Sequence, residues 1–354
     1  VDIIKRLSAK EPARTSGGFS VRTYRDNSND VAEVCAHLKE GHVIALPTET
    51  VYGLAGDASK PETCQQIFKI KGRPLIDPLI VHIADLSQIE LLAEWNPLAQ
   101  RLADHFWPGA LTLILKKKPR VPDIVTAGLN TVAIRMPAHP LMQKVLRTSG
   151  LCLAAPSANP FGYVSPTSAQ HVIDSLGDRI IGVLDGGECQ IGIESTIIDV
   201  SDGQTLRLLR PGGITRERIE QATGVTVVQP LPSQCKAQNE PITAPGMLAR
   251  HYSPHTPLSL FAYRNTPTFN AESTEQAVLW FQRPSNAQRI PTVEHFWLTE
   301  DGNLAEAAHN IFNLLRRLDQ GAFSHVFVEK APDAGLGLAI NDRLRRAAER
   351  ANPS

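Results

Sequence analysis

The sequence predicts an α/β fold: a twisted mixed sheet flanked by helices, followed by a smaller C-terminal α/β domain. Three observations carry that expectation. Short apolar runs alternate with amphipathic segments across residues 29–215. Apolar residues make up 42% of 354 positions, enough for two cores. Residues 225–257 hold six prolines and little periodicity, so the chain divides there.

The elements follow in order. Residues 1–28 read as a polar, Gly-containing leader. "DVAEVCAHLKEG" (30–41) has helical spacing and a glycine stop. "HVIALPTE" is a short buried strand ending at Pro47, and "PETCQQIFKIKG" (61–72) is a helix with proline at its start and glycine at its end. "DPLIVHIA" is a strand, "LSQIELLAEWNPLAQRLADHFWPG" one or two helices, and "ALTLILKKK" a strand with a charged exit. "TVAIRMPA" and "LCLAAPSA" are strands separated by the helix "HPLMQKVLRTSG". "TSAQHVIDSLGDR" is a capped helix, and "IIGVLDGG", "ESTIIDVS" and "TLRLLRPG" are β-rich. Beyond the prolines come the strands "PLSLFAY", "QAVLWFQ" and "HVFVEKA", the helix "NLAEAAHNIFNLLRRLDQG" and the basic helical end "AINDRLRRAAER". The expected organisation is a leader over 1–28, a main domain over 29–215, a linker over 216–257 and a second domain over 258–354.

Lys plus Arg balances Asp plus Glu at 36 each. No global positive field exists to hold long nucleic acid, so any anion site must be local. Five widely spaced cysteines without a CxxC fit neither a disulfide framework nor a thiolate metal site, and point to a reduced cytoplasmic setting. No stretch reads as a signal peptide or a membrane span. Walker and dinucleotide glycine patterns are missing; Gly335-Leu336-Gly337 lacks a third glycine. His251 and His255 lack the glutamate of a metalloprotease helix and sit among prolines, so no zinc site is expected there. Ser157 has no evident triad partners.

Four segments place polar residues directly at strand ends, where α/β folds grip ligands: "ALPTETVYG", "AIRMPAHP", "AAPSANPFG" and "GIESTIIDV". Arg135 lies in an apolar strand and needs an anion or a carboxylate. Ser157 and Asn159 either bind a ligand or cap a turn. The basic residues Lys69, Lys71 and Arg73 around Gly72 either complement a helix dipole or neutralise phosphate.

These strings, in this order, resemble the Sua5/YrdC/YwlC family of threonylcarbamoyl-AMP synthases in its long form. "PTETVYGL", "KGRPLIDPLIVH", "AIRMPAHP" and "APSANPFGYVSPT" carry the resemblance, with "DGGECQIGIESTIID", "LRPG" and "PGMLARHYSPHTP" in support. The resemblance implies a YrdC-like mixed sheet flanked by helices over 29–215 and a Rossmann-like Sua5 domain over 258–354. It implies a nucleotidyltransferase that converts ATP, L-threonine and bicarbonate to threonylcarbamoyl-AMP and pyrophosphate, with Mg2+ accompanying ATP. A separate transferase complex would then make the t6A base of tRNA, with at most weak or indirect tRNA contact by this chain and no membrane partner.

The family's Lys-x-Arg and Ser-x-Asn motifs match Lys71, Arg73, Ser157 and Asn159. Lys71 and Arg73 are the implied catalytic charges. They bind nucleotide with Thr131, Ser157, Asn159, Ser165, Arg210 and Tyr252; Thr48, His82, Arg135 and Ser195 bind threonine. The stretch 245–257 resembles a segment that folds over the active-site mouth, against the plain alternative of an inert tether. The rivals are a YrdC-like RNA-binding module without adenylation activity, which the balanced charge disfavours, and a hydrogenase-maturation carbamoyltransferase, whose CxxC pairs are missing.

Overall fold

The computed structural model describes residues 21–229, 242, 244–246, 251–265, 275–289 and 293–349. In chain order the first domain contains β1 (Arg22–Tyr24), α1 (Ser28–Glu40), β2 (Ile44–Leu46), β3 (Gly53–Asp57), α2 (Pro61–Lys71), β4 (Ile80–His82), α3 (Ile89–Leu92), α4 (Pro97–Phe106) and β5 (Leu111–Lys116). It continues with α5 (Asp123–Thr126), β6 (Thr131–Arg135), α6 (Pro140–Ser149), β7 (Leu153–Ala154), α7 (Ala169–Leu176), β8 (Gly182–Leu184), β9 (Thr196–Asp199), β10 (Leu206–Arg210), α8 (Arg216–Thr223) and β11 (Val227–Val228). The second domain contains β12 (Leu258–Phe261), β13 (Gln276–Gln282), β14 (Glu294–Thr299), α9 (Leu304–Gln320), β15 (His325–Glu329) and α10 (Leu336–Ala348).

Local chemistry fixes the helix starts. Asn27, Asn96 and Ser168 accept from the N–H of Asp30, Ala99 and His171 at the starts of α1, α4 and α7, and prolines open α2, α4 and α6. Two expected boundaries shift. β1, inside the expected leader, pairs in parallel with β8 at the sheet edge. At the other edge β11 pairs with β10, so the sheet runs past residue 215 to Val228. β3, with its two glycines, and α5 carried too little apolar periodicity to be read in advance.

The first sheet has eleven strands in the order β1-β8-β2-β3-β7-β4-β6-β5-β9-β10-β11, with parallel and antiparallel pairs mixed as expected. Side chains alternate between its faces. One face, with Leu54, Val81, Leu113, Ile134 and Ile198, is covered by Ile67 and Phe68 of α2, Leu102 of α4 and Val172 of α7. The opposite face is split. Ile44, Ala55 and Leu153 lie under Val34 and Leu38 of α1 and Leu141 and Leu146 of α6. Ile80, Ile114, Ala133 and Ile197, farther along, cluster instead with Ala244 from the interdomain stretch. That part of the sheet is roofed by the interdomain stretch, and the site lies there.

The second sheet is fully parallel, in the order β12-β15-β13-β14. Its face bearing Ala277, Leu279 and Val328 packs against Ile311 and Phe312 of α9 and Ile340 and Leu344 of α10. The same cluster takes in Val51, Val164, Ile193 and Tyr252, so the two domains share a continuous core.

Candidate functional site

A cavity of about 50 Å³ lies on the sheet face beneath Ala244. Four strand ends and the interdomain stretch build it. β4 and β6 run in register, pairing His82 with Arg135 and Ile80 with Ala133. The period of two turns all four side chains the same way, so His82, Arg135 and Ile80 reach the wall together. Ser195 precedes β9 and shares the face of Ile197. Arg210 should point to the other face, since Leu208 does. A bulge between Leu208 and Arg210 instead aligns Arg210 with Ile197 and brings it into the cavity.

The loop after β2 contributes Thr48 and Thr50. Thr48 Oγ1 is held in its own turn: it accepts from Thr50 N–H at 3.1 Å and lies 2.6 Å from Val51 O. The roof is Pro245, Gly246, His251 and Tyr252. Gly246 has φ of 77°, and a Cβ there would lie 2.9 Å from Tyr252 Oη and 3.1 Å from Arg210 Nη1. Only glycine lets the backbone come this close.

Of the twelve expected site residues, eight line the cavity: Thr48, Arg73, His82, Arg135, Ser157, Ser195, Arg210 and Tyr252. Lys71 does not. Gly72 ends α2 in the left-handed region and parts its basic neighbours. Lys71 turns inward and donates to the carbonyls of Ser157 at 2.5 Å and Asn159 at 2.7 Å. Burial, then Arg73, push its pKa well below the usual lysine value. A surface phosphate clamp is therefore not its geometry; it holds the Ser157–Asn159 segment in place. Arg73 is buried too, ion-paired with Asp77 at 2.8 Å and donating to Pro78 O at 2.6 Å.

Asn159 donates to the carbonyls of Pro160 and Tyr163, which ties its own loop. Ser165 donates to Glu194 at 2.6 Å. Thr131 shares the face of Ala133 and Arg135 but lies beyond the cavity wall. Arg135 lines the cavity, yet it is not a free fork. It ion-pairs with Glu49 at 2.7 Å and donates to Thr50 Oγ1 at 2.9 Å and Gly109 O at 3.2 Å. Burial opposes ionisation of Glu49, but the Arg135 guanidinium outweighs it and holds that carboxyl below its ordinary range.

Arg210 is different. It is buried and donates to Ser195 O at 3.0 Å, Ser195 Oγ at 3.2 Å and Pro245 O at 3.2 Å. Among the described residues no carboxylate pairs with it. Three buried polar atoms of the same cavity lining have no hydrogen-bond partner among the described residues: His82 Nδ1, His251 Nδ1 and Tyr252 Oη. Burial, then Arg135, lower the His82 pKa to about 3, so its imidazole is neutral. Burial, then the charges of Arg73 and Lys71, hold His251 well below its ordinary value. Burial, then Glu194, push Tyr252 up to about 12, so its phenol is a donor. A buried cation with no ion-paired carboxylate among the described residues, in a cavity with unpaired polar groups, has the chemistry to take an anion.

The stretch expected as lid or tether is packed. Tyr252 is fully buried and stacks on Phe312 at 5.5 Å. Ser253 N–H donates to Gly162 O at 2.8 Å, and Thr256 N–H to Asp319 Oδ1 at 2.8 Å. Residues 230–241, 243 and 247–250 of the interdomain stretch lie outside the described residues. Reading the sequence missed the counter-ions Glu49 and Asp77, and also Glu194 and His251. Asp77 had a usable signal, four residues after Arg73 within "KGRPLIDP". Among the described residues, the grouping spaced like metal ligands is His37, Glu40 and His42, at the end of α1 and unconnected with the cavity wall.

Comparisons agree across the chain. The family model for "Telomere recombination" (Sua5, YciO and YrdC) matches residues 36–212, and that for "Threonylcarbamoyl-AMP synthase, C-terminal domain" matches 214–349. A threonylcarbamoyl-AMP synthase of Bacillus subtilis is 42% identical over 334 residues, covering 91% of this chain and 94% of that protein. Sua5 of Pyrococcus abyssi complexed with L-threonine superposes with a TM-score of 0.81 at 37% identity, covering 93% of this chain and 97% of that one. A variant of the same protein, with an adjacent histidine and tyrosine replaced by alanine, gives 0.82 at 36% identity, covering 93% and 96%. This chain has a single His-Tyr pair, His251-Tyr252.

Proposed function

The chain belongs to the Sua5/YrdC family of threonylcarbamoyl-AMP synthases, and from that premise we propose how its cavity carries out the family's reaction. ATP, L-threonine and bicarbonate give threonylcarbamoyl-AMP, pyrophosphate and water. The observation that carries the proposal is Arg210, a buried guanidinium with no ion-paired carboxylate among the described residues, facing Tyr252 Oη across Gly246. A phosphate is the anion that site fits.

Threonine's amine adds to bicarbonate and water leaves, giving a carbamate that loses CO2 readily in open solvent. The carbamate oxygen then attacks the α-phosphorus of ATP, and pyrophosphate departs. No side-chain nucleophile is required. Arg210 and Arg73 face the phosphates, with Tyr252 and Ser157 as hydroxyl donors; the Ser157 hydroxyl makes no hydrogen bond to a described residue. They stabilise charge that grows on the α-phosphoryl oxygens. His82 and Ser195 orient threonine. With a pKa near 3, His82 is a weak base, so it accepts a hydrogen bond from the amino group rather than removing its proton. Lys71, Asn159 and Ser165 act indirectly, by holding Ser157 and Glu194. Thr131 meets the nucleotide if its base extends along the face of β6.

A cavity of about 50 Å³ is several-fold smaller than the roughly 300–1,000 Å³ typical of ligand sites. On this reading ATP enters when the roof of Pro245, Gly246, His251 and Tyr252 withdraws. Reclosure keeps water from the carbamate. Among the described residues of the wall the carboxylate is Glu194, which spends both oxygens on Ser165 and Arg343 and so forms no Mg2+ cage. Mg2+ arrives as part of the substrate MgATP, and no step is assigned to it. The product passes to a separate t6A transferase complex. The described cysteines are free thiols, which supports a cytoplasmic setting. The reaction is tested by pyrophosphate release from ATP, which must require threonine and bicarbonate together; release with either alone overturns it.

A further inference from the structure

The second domain reaches into this site through one side chain. Arg343 of α10 is fully buried. Its Nε donates to Glu194 Oε2 at 2.8 Å, and its Nη1 to Pro211 O at 2.8 Å and Asp342 Oδ2 at 2.9 Å. Its guanidinium carbon stands 5.2 Å from the centroid of the Tyr252 ring. Glu194 lines the cavity, and its other oxygen accepts from Ser165. One arginine therefore touches a wall carboxylate, the residue that follows Arg210, and the ring of the roof.

A buried ion pair is a poor device for docking two domains, because an apolar pair of the same shape would hold them as well. The shared core around Phe312 and Tyr252 already does that. What Arg343 changes is the charge of the wall. With it, Glu194 is neutralised and its Oε2 is held by Arg343, so no bare carboxylate opposes Arg210. Without it, a bare carboxylate would face the phosphates of ATP.

We infer that Arg343 is a positioning residue for adenylation: by neutralising and orienting Glu194, it makes the second domain a working part of the nucleotide site. The inference rests on the proposed reaction, which wild-type turnover tests separately. The test uses the full chain as wild type, Arg343→Met, Glu194→Gln and the double variant, with pyrophosphate release measured against ATP at saturating threonine and bicarbonate. Arg343→Met should raise KM for ATP by about tenfold or more while kcat changes less, because a bare Glu194 repels the phosphates. Adding Glu194→Gln should return KM to within about threefold of Glu194→Gln alone, since no carboxylate is left to neutralise. A normal KM in Arg343→Met overturns the inference. So does a raised KM that Glu194→Gln fails to relieve, which would mark Arg343 as structural only. Should Arg343→Met not fold, the double variant is compared directly with Glu194→Gln: matching KM values for ATP support the inference, and a further tenfold rise, on the order expected for a lost charge contact, overturns it.

Discussion

Replacing Tyr252 with phenylalanine removes one oxygen from the roof of the cavity and leaves the ring stacked on Phe312. That oxygen is buried, and no described residue hydrogen-bonds it. A buried, unsatisfied polar group costs about 1–3 kcal/mol. The free variant should therefore melt at the same temperature as wild type or a few degrees higher, the reverse of what loss of a structural hydrogen bond would give. Binding should move the other way. A hydrogen bond to a charged group contributes about 1.5–3 kcal/mol, which corresponds to a rise of roughly 10- to 150-fold in KM for ATP. Burial and Glu194 keep the phenol protonated, with a pKa of about 12, so the effect should be equal at pH 7 and pH 9. Calorimetry on the free proteins and pyrophosphate release against ATP measure the two signs. A variant that melts several degrees lower with an unchanged KM would refute the reasoning, because the hydroxyl would then be bonded within the protein and not aimed at ligand.

Other outcomes follow from the same geometry. Arg210→Met should lower kcat/KM for ATP on the order of 100-fold or more; it removes a buried charge but also orphans the carbonyls of Ser195 and Pro245, so stability should fall by no more than about 1–3 kcal/mol, and a variant of full activity would contradict the role. Lys71→Met orphans the carbonyls of Ser157 and Asn159 and should cost about 1–3 kcal/mol of stability along with turnover; full loss of turnover at unchanged stability would mean that Lys71 meets substrate directly. Burial lowers the pKa of His82 to about 3 and that of His171 to about 4, helped by Arg135 and Arg316. The unfolded chain binds protons at these histidines below about pH 6.5 while the folded chain refuses them, so stability is lost as pH falls from 6.5 toward 4, by up to about 1.4 kcal/mol per pH unit for each. His171→Asn should flatten the decline of the urea midpoint between pH 7 and pH 5; an identical slope in the variant would assign it elsewhere.

The strand ends were legible because a period of two and a polar break leave a plain pattern, and "ALPTET", "AIRMP", "AAPSAN" and "GIEST" all reach the cavity region. The alternation could not show which face a bulged strand presents, so the way Arg210 enters the site came only from its pairing with Ile197. Lys71 and Arg73 were read as complementing a helix dipole or neutralising phosphate, yet both are buried, because carbonyls 86 and 88 residues away and Asp77 satisfy them. Arg135 was expected to need an anion or a carboxylate, and Glu49 supplies the carboxylate. Arg343 gave no signal: "NDRLRR" reads as a solvated basic helix, and its partner Glu194 stands 149 residues away. Local patterns reveal periodicity and caps; a long-range ion pair leaves no such trace.

The measurement that bears most directly on the whole account is the fate of isotopically labelled bicarbonate. Incubated with the wild-type chain, MgATP and L-threonine, its carbon should appear in an adenylated threonine product, in step with the pyrophosphate released, and should not appear when either threonine or ATP is withheld. Pyrophosphate release with no labelled carbon in the adenylate, or label incorporated without threonine, would contradict it.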